Sequence, residues 1–275
     1  MDTDDVKQMA RQAGEHDAVE KAARVGYVVN GLMHLLIGYI ALQLAWGTSG
    51  DSADQSGALS HLANNGLGRT VLWIGVVGFL GLVVWQLTEA IAGAPKASDR
   101  VKAVSKAFVY AALAWTAFTF ARGSSSSSKS QTTDFTASLM SKPFGNALVV
   151  IVGAIVFGVA VYHVRKGWKK KFLSDLDTNP GAFFVRSGQI GYIAKGVALT
   201  VVAFLFVYAA MTNNPKEATG LDGALRSLVD EPFGKPLLAF IAIGFVAYGV
   251  YSFARARHGD VGRGSSAVGA GRAHA

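Results

Sequence analysis

At 275 residues, with 51% hydrophobic and only 16% charged side chains, the chain carries too few charges to clothe a soluble surface of its size. Having no cysteine, it excludes disulfides, thiolate catalysis and cysteine metal sites. The formal net charge of +8 reads as membrane topology and contact with anionic lipid rather than as nucleic-acid binding.

Residues 1–22 contain Asp2, Asp4, Asp5, Glu15, Asp17 and Glu20 but no apolar core. They are expected to form a cytoplasmic N-terminal segment without a cleavable signal peptide. From Arg24 onward the chain is largely apolar. A membrane crossing needs about 20 residues, and six stretches reach that length: 24–46, 68–90, 102–121, 144–166, 188–210 and 234–256. Within them, 71–87 and 237–254 are apolar on every side, as suits helices surrounded by lipid or protein.

The outer connections end in ALSHLANN, FTASLMSK and ALRSLVDE, where Leu62, Leu139 and Leu228 fall in one column. A short amphipathic helix in the outer interface, or an ordered loop, is expected at each. The run GSSSSSKSQTT over 123–133 is expected to be flexible, because it has little apolar surface to bury. The basic run RKGWKKK offers Arg165, Lys166, Trp168, Lys169, Lys170 and Lys171 to lipid head groups. Residues 259–275, rich in Gly, Ala and Ser, read as a disordered cytoplasmic tail.

Six crossings put both chain ends on one side. Eighteen Lys and Arg fall on that side and its helix ends, against seven on the other, with Lys195 inside a crossing. The positive-inside rule then predicts a multi-pass protein of a bacterial inner membrane with both termini cytoplasmic.

The crossings repeat in pairs. An offset of 165 carries Gly26, Tyr27 and Gly31 of GYVVNG onto Gly191, Tyr192 and Gly196 of GYIAKG. Among the second helices, offsets of 77 and 89 align Gly68, Gly145 and Gly234, and also Trp85, Tyr162 and Tyr251. Pro143 and Pro232 precede Phe-Gly at two of those helix starts. The expected fold is all-α: a polytopic integral membrane protein with six transmembrane helices, built as three tandem parallel helical hairpins about a pseudo-threefold axis. Their bounds are 23–91, 99–168 and 185–258. Copy two departs from the pattern, with Lys102 and Ala103 where Gly-Tyr would stand.

Three hairpins with GY-x-x-x-G in the first helix, Pro-Phe-Gly opening the second and Tyr before basic residues at its end resemble the bacterial membrane family catalogued as domain of unknown function 1206. The resemblance covers about residues 20–258. It implies a fold and a membrane location, and it brings no catalytic residue.

The polar residues inside the crossings are Asn30, His34, Gln43, Gln86, Glu89, His163, Gln189 and Lys195. Neither His34 nor His163 has a second metal ligand at helical spacing, so no metal and no cofactor is implied. Asn30, Lys106 and Lys195 become equivalent when the first helices are aligned. Either these side chains snorkel to the head groups, or with His34 they form a cytoplasmic-side polar vestibule for an anion or a lipid head group. Gly75, Gly78, Gly81, Gly153, Gly158, Gly244 and Gly249 line the second helices and are expected to let backbones approach closely. The first functional reading is a non-enzymatic scaffold or accessory subunit of a membrane assembly, with membrane lipids and other membrane proteins as partners and no nucleic acid. The alternative is a small transporter, channel or lipid-binding protein using the vestibule.

Overall fold

In a computed structural model of the chain, residues 17–48, 50–64, 66–93, 97–123 and 127–259 are described. The expectations for residues 1–16 and for the tail from 260 lie outside them. Six helices are long and apolar enough to cross a membrane. They are α1 (Asp17–Ala45), α3 (Gly66–Thr88, closed by a π-turn over Glu89–Gly93), α4 (Ala97–Ala121), α6 (Gly145–Trp168), α7 (Ala182–Thr212) and α9 (Gly234–His258). Three short helices precede the second crossing of each repeat: α2 (Gln55–Ala63), α5 (Ser128–Met140) and α8 (Gly220–Ser227). We call the end where α1, α4 and α7 begin proximal, and the end carrying the short helices distal.

Side-by-side packing follows the order α6, α7, α9, α1, α3, α4. This is a six-membered ring around the pseudo-threefold axis, open between its two ends. Contacts between repeats (α6 with α7, α9 with α1, α3 with α4) are joined by contacts within repeats one and three (α1 with α3, α7 with α9). Repeat two differs from the expected hairpin, since α4 and α6 do not pack along their length.

The glycines explain both the ring and its opening. Five residues turn a helix through about 140° beyond one full circle, so the two glycines of GY-x-x-x-G face different neighbours. Gly26 meets α3 of its own repeat: a Cβ there would stand 2.8 Å from the Gly78 carbonyl oxygen. Gly31 meets α9 of the third repeat, where its Cβ would stand 3.0 Å from the Gly249 oxygen. The equivalent Gly191 abuts the backbone of Tyr248 at 2.7 Å, and Gly196 the Ala160 oxygen at 2.7 Å. The first helices α1 and α7 are thus each wedged between two second helices. In repeat two, the columns of Gly26 and Gly78 hold Lys102 and Ile155. Two bulky side chains occupy the place where glycines would let backbones meet, and the ring stays open there.

The distal end is built three times over as well. A Cβ on Gly68, Gly145 or Gly234 would collide with the carbonyl oxygen of Leu62, Leu139 or Leu228, the column leucine that ends each short helix. Phe144 and Phe233, just before two of these glycines, adopt left-handed backbone angles (φ 59° and 62°) that make the sharp entrance into α6 and α9. The short helices are stitched together by Ala53 N–H to Asp222 Oδ1 (2.7 Å) and by Arg226 Nη2 to the Asp51 carbonyl (2.6 Å). The stretch expected to be flexible is helical from Ser128. Ser127 caps it by accepting from the Ser130 amide, a local bond that bulk composition does not register.

Candidate functional site

The proximal half of the ring interior is polar. His34 on α1 places Nδ1 2.8 Å from the Asn30 carbonyl, and Nε2 3.1 Å from the Lys195 ammonium on α7. A carbonyl only accepts and an ammonium only donates, so Nδ1 carries the proton, Nε2 is bare and the imidazole is neutral. Lys195 also lies 3.9 Å from the centroid of the Tyr248 ring on α9, a cation–π contact. Its side chain therefore crosses α9 to reach α1, pointing inward and not outward to lipid. Asn30 donates to Ser252 Oγ at 3.3 Å on the same α9.

Nearer the proximal end, the Arg255 guanidinium lies over the Tyr27 ring at 4.5 Å and donates to its hydroxyl at 3.1 Å. Lys166 lies over Tyr192 at 5.2 Å. These two contacts are one joint built twice, since Tyr27 aligns with Tyr192 and Arg255 with Lys166. At the third joint the columns hold Ala103 and Glu89. Asp175, in the 3₁₀ turn Lys171–Asp175, accepts from Lys166 Nζ at 2.6 Å and stands 4.0 Å from Arg255 Nη2. Burial by itself raises the Asp175 carboxyl, but Arg255 and then Lys166 outweigh it and hold it below the usual carboxylate range. The segment continues as a strap bonded to the proximal end of α9. Tyr251 donates to the Phe172 carbonyl (3.0 Å), Asp177 N–H to the His258 carbonyl (2.8 Å), and Thr178 pairs with His258 Nδ1 (2.8 Å).

Of the residues singled out from sequence, Asn30, His34 and Lys195 come together through Ser252 and Tyr248. Lys106 stands on α4 beside the opening, exposed on that side, and within electrostatic reach of Asp175, Arg255, Lys166 and Glu89. Arg165, Trp168, Lys169, Lys170 and Lys171 are exposed at the end of α6 and in the turn that follows. Lys166 is a correction: expected at the head groups, it turns inward because Asp175 folds back beneath it, leaving its side chain 12% exposed. Gly78, Gly153, Gly244 and Gly249 sit in helix joints, Gly75 faces Val29, and Gly81 is buried. Gly158 is a second correction, for nothing lies within 4 Å of its would-be Cβ. It faces the side where α4 would pack if repeat two closed. Sequence reasoning missed Tyr27, Asp175, Tyr248 and Arg255, although the shared Tyr and basic columns carried the signal for the cation–aromatic joints.

The chain belongs to the family described as Domain of Unknown Function (DUF1206), whose model matches it three times in tandem, over residues 25–93, 101–170 and 190–259. It is similar to "Uncharacterized protein YxxB" of Bacillus subtilis (strain 168), at 29% identity over 246 residues that cover 85% of this chain and 89% of that protein. No solved structure matches it.

Proposed function

We propose that this protein is a non-enzymatic, membrane-embedded binding protein whose ring interior holds an anion at the proximal end, on the cytoplasmic side of a bacterial inner membrane. One observation carries the reading. The Lys195 ammonium, inside an apolar span, is held by a neutral imidazole and an aromatic face, with no carboxylate among its described contacts. A lysine at bilayer depth costs about 2.5–3.5 kcal/mol on insertion scales, and an arriving anion would offset part of that. Arg255 adds a donor, since its buried Nε has no hydrogen-bond partner. The cytoplasmic orientation is supported by the asymmetry of Lys and Arg described above.

The test is thermal unfolding of the detergent-purified protein titrated with inorganic phosphate. Stabilisation that grows with the logarithm of phosphate concentration is expected, about 2.7 kcal/mol at a hundredfold excess over Kd, and Lys195→Gln should abolish most of it. Equal responses of the two proteins, or none in either, would refute an interior anion site.

A further inference from the structure

Resting on that reading, we infer that the anion is the head group of an anionic phospholipid, which reaches the interior sideways through the gap in repeat two, between α4 and α6. In the sequence this gap is specified: Lys102 and Ile155 replace the paired glycines that close the other two repeats. On α6, the other wall of the gap, Gly158 likewise faces open space. The walls are apolar, with Val109 on α4 54% exposed and Ile155 on α6 61% exposed. Such surfaces in the span of a membrane are covered by acyl chains.

At the proximal rim the chemistry changes sign and polarity. Lys102, paired with Asp99 at 2.8 Å, and Lys106 stand on the α4 side, with Lys106 in electrostatic reach of Arg255 and Lys166 inside the ring as well as of Asp175 and Glu89. A cationic rim above an apolar cleft matches one amphiphile, phosphate at the cations and a chain in the cleft. Approach from the other directions is more obstructed. The distal end is stitched by the bonds from Ala53 to Asp222 and from Ser128 to Ser56, and the strap over 171–178 is bonded to the proximal end of α9. Charge decides the lipid class, because the cations at the rim attract a net negative head group more strongly than a zwitterionic one.

The experiment is native mass spectrometry of the full-length protein, extracted in mild detergent and supplied with phosphatidylglycerol or phosphatidylcholine. Alongside it run thermal unfolding with inorganic phosphate and two variants. Lys106→Gln removes a rim cation. Val109→Trp fills the cleft and leaves every cation in place, and gel filtration checks that both variants remain monodisperse. A phosphatidylglycerol adduct on the wild type, retained at least tenfold over phosphatidylcholine and lost at least tenfold in both variants, is the expected result. If phosphate stabilises wild type and Val109→Trp alike while no phospholipid is retained, lateral lipid entry is overturned and the anion site survives. If neither phosphate nor lipid binds, both readings fall. A cross-linked polypeptide filling the cleft in constant stoichiometry would also overturn the lipid assignment, in favour of a partner helix. Equal adducts of both lipids, unaffected by either variant, would mean annular lipid only and would sink it too.

Discussion

Gly249→Ala is a stringent probe of the ring. In the joint between α9 and α1, a Cβ on Gly249 would stand 2.8 Å from the Gly31 carbonyl oxygen and 3.0 Å from Leu35 Cγ and Cδ2. Carbon–oxygen contacts of this kind settle at about 3.3 Å or more, and carbon–carbon contacts at about 3.5–4.0 Å. The shortfall is therefore about 0.5 Å. Because one of the atoms in the way is backbone, a rotamer change cannot absorb it and α1 must move as a body. Parting two helices by that much forfeits a quarter or more of each dispersion contact along the joint. Overpacking of this size costs about 1–3 kcal/mol, against a gain of up to about 1 kcal/mol from replacing glycine in a helix. The net expectation is a loss of up to about 2 kcal/mol for Ala once the full glycine term is subtracted, and a larger loss for Leu. Gly158 supplies the internal control: with nothing within 4 Å, Gly158→Ala should be neutral or slightly stabilising, by up to about 1 kcal/mol. Thermal or chemical unfolding of the purified variants in one detergent reads both. If Gly249→Ala is no less stable than Gly158→Ala, the close helix approach argued here is wrong.

Three further outcomes are expected. Asp175 is held below the usual carboxylate range in the folded protein, so its contribution is complete above about pH 4 and disappears as acid protonates it through the lowered value; Asp175→Asn should cost about 1–3 kcal/mol at neutral pH and flatten the acid limb of a stability–pH profile, and an unchanged limb would contradict the pairing. Tyr27→Phe keeps the ring under Arg255 but loses the 3.1 Å hydrogen bond; a loss of about 0.5–1.5 kcal/mol is expected, with Tyr27→Ala clearly worse, and equal melting of the two variants would argue against the cation–aromatic joint. Reporter fusions at both termini should report the cytoplasmic side, and an external C-terminus would remove the parallel arrangement of repeats.

The repeat was legible because its columns are small residues and aromatics that lipid cannot specify by hydrophobicity alone. Gly26 with Gly191, and Gly31 with Gly196, could be matched from sequence. Which neighbour each glycine meets depends on how the ring closes, and alignment carries no such information. The gap in repeat two was half legible. Lys102 under a glycine column was visible, whereas its partner Ile155 gained meaning only once Gly78 was seen against Gly26. Lys166 was misplaced for a different reason. In RKGWKKK it looks like its exposed neighbours, and only the fold-back of Asp175, nine residues later, turns it inward. Ser127 hid in the same way within a serine run: one side chain capping one amide decides where α5 starts.

The joint between α9 and α1 fixes an order of events during synthesis. It binds α1 to α9, the most widely separated of the six described crossings, so Gly31 and Gly38, which face α9, must wait in the bilayer until Gly249 and Ala242 arrive more than 200 residues later. Contacts so distant along the chain form late, and meanwhile a bare small-residue face on α1 is open to any passing helix. A nascent chain halted after its second repeat would present that face permanently. Synthesis of the third repeat thus sets when this face of α1 can be covered.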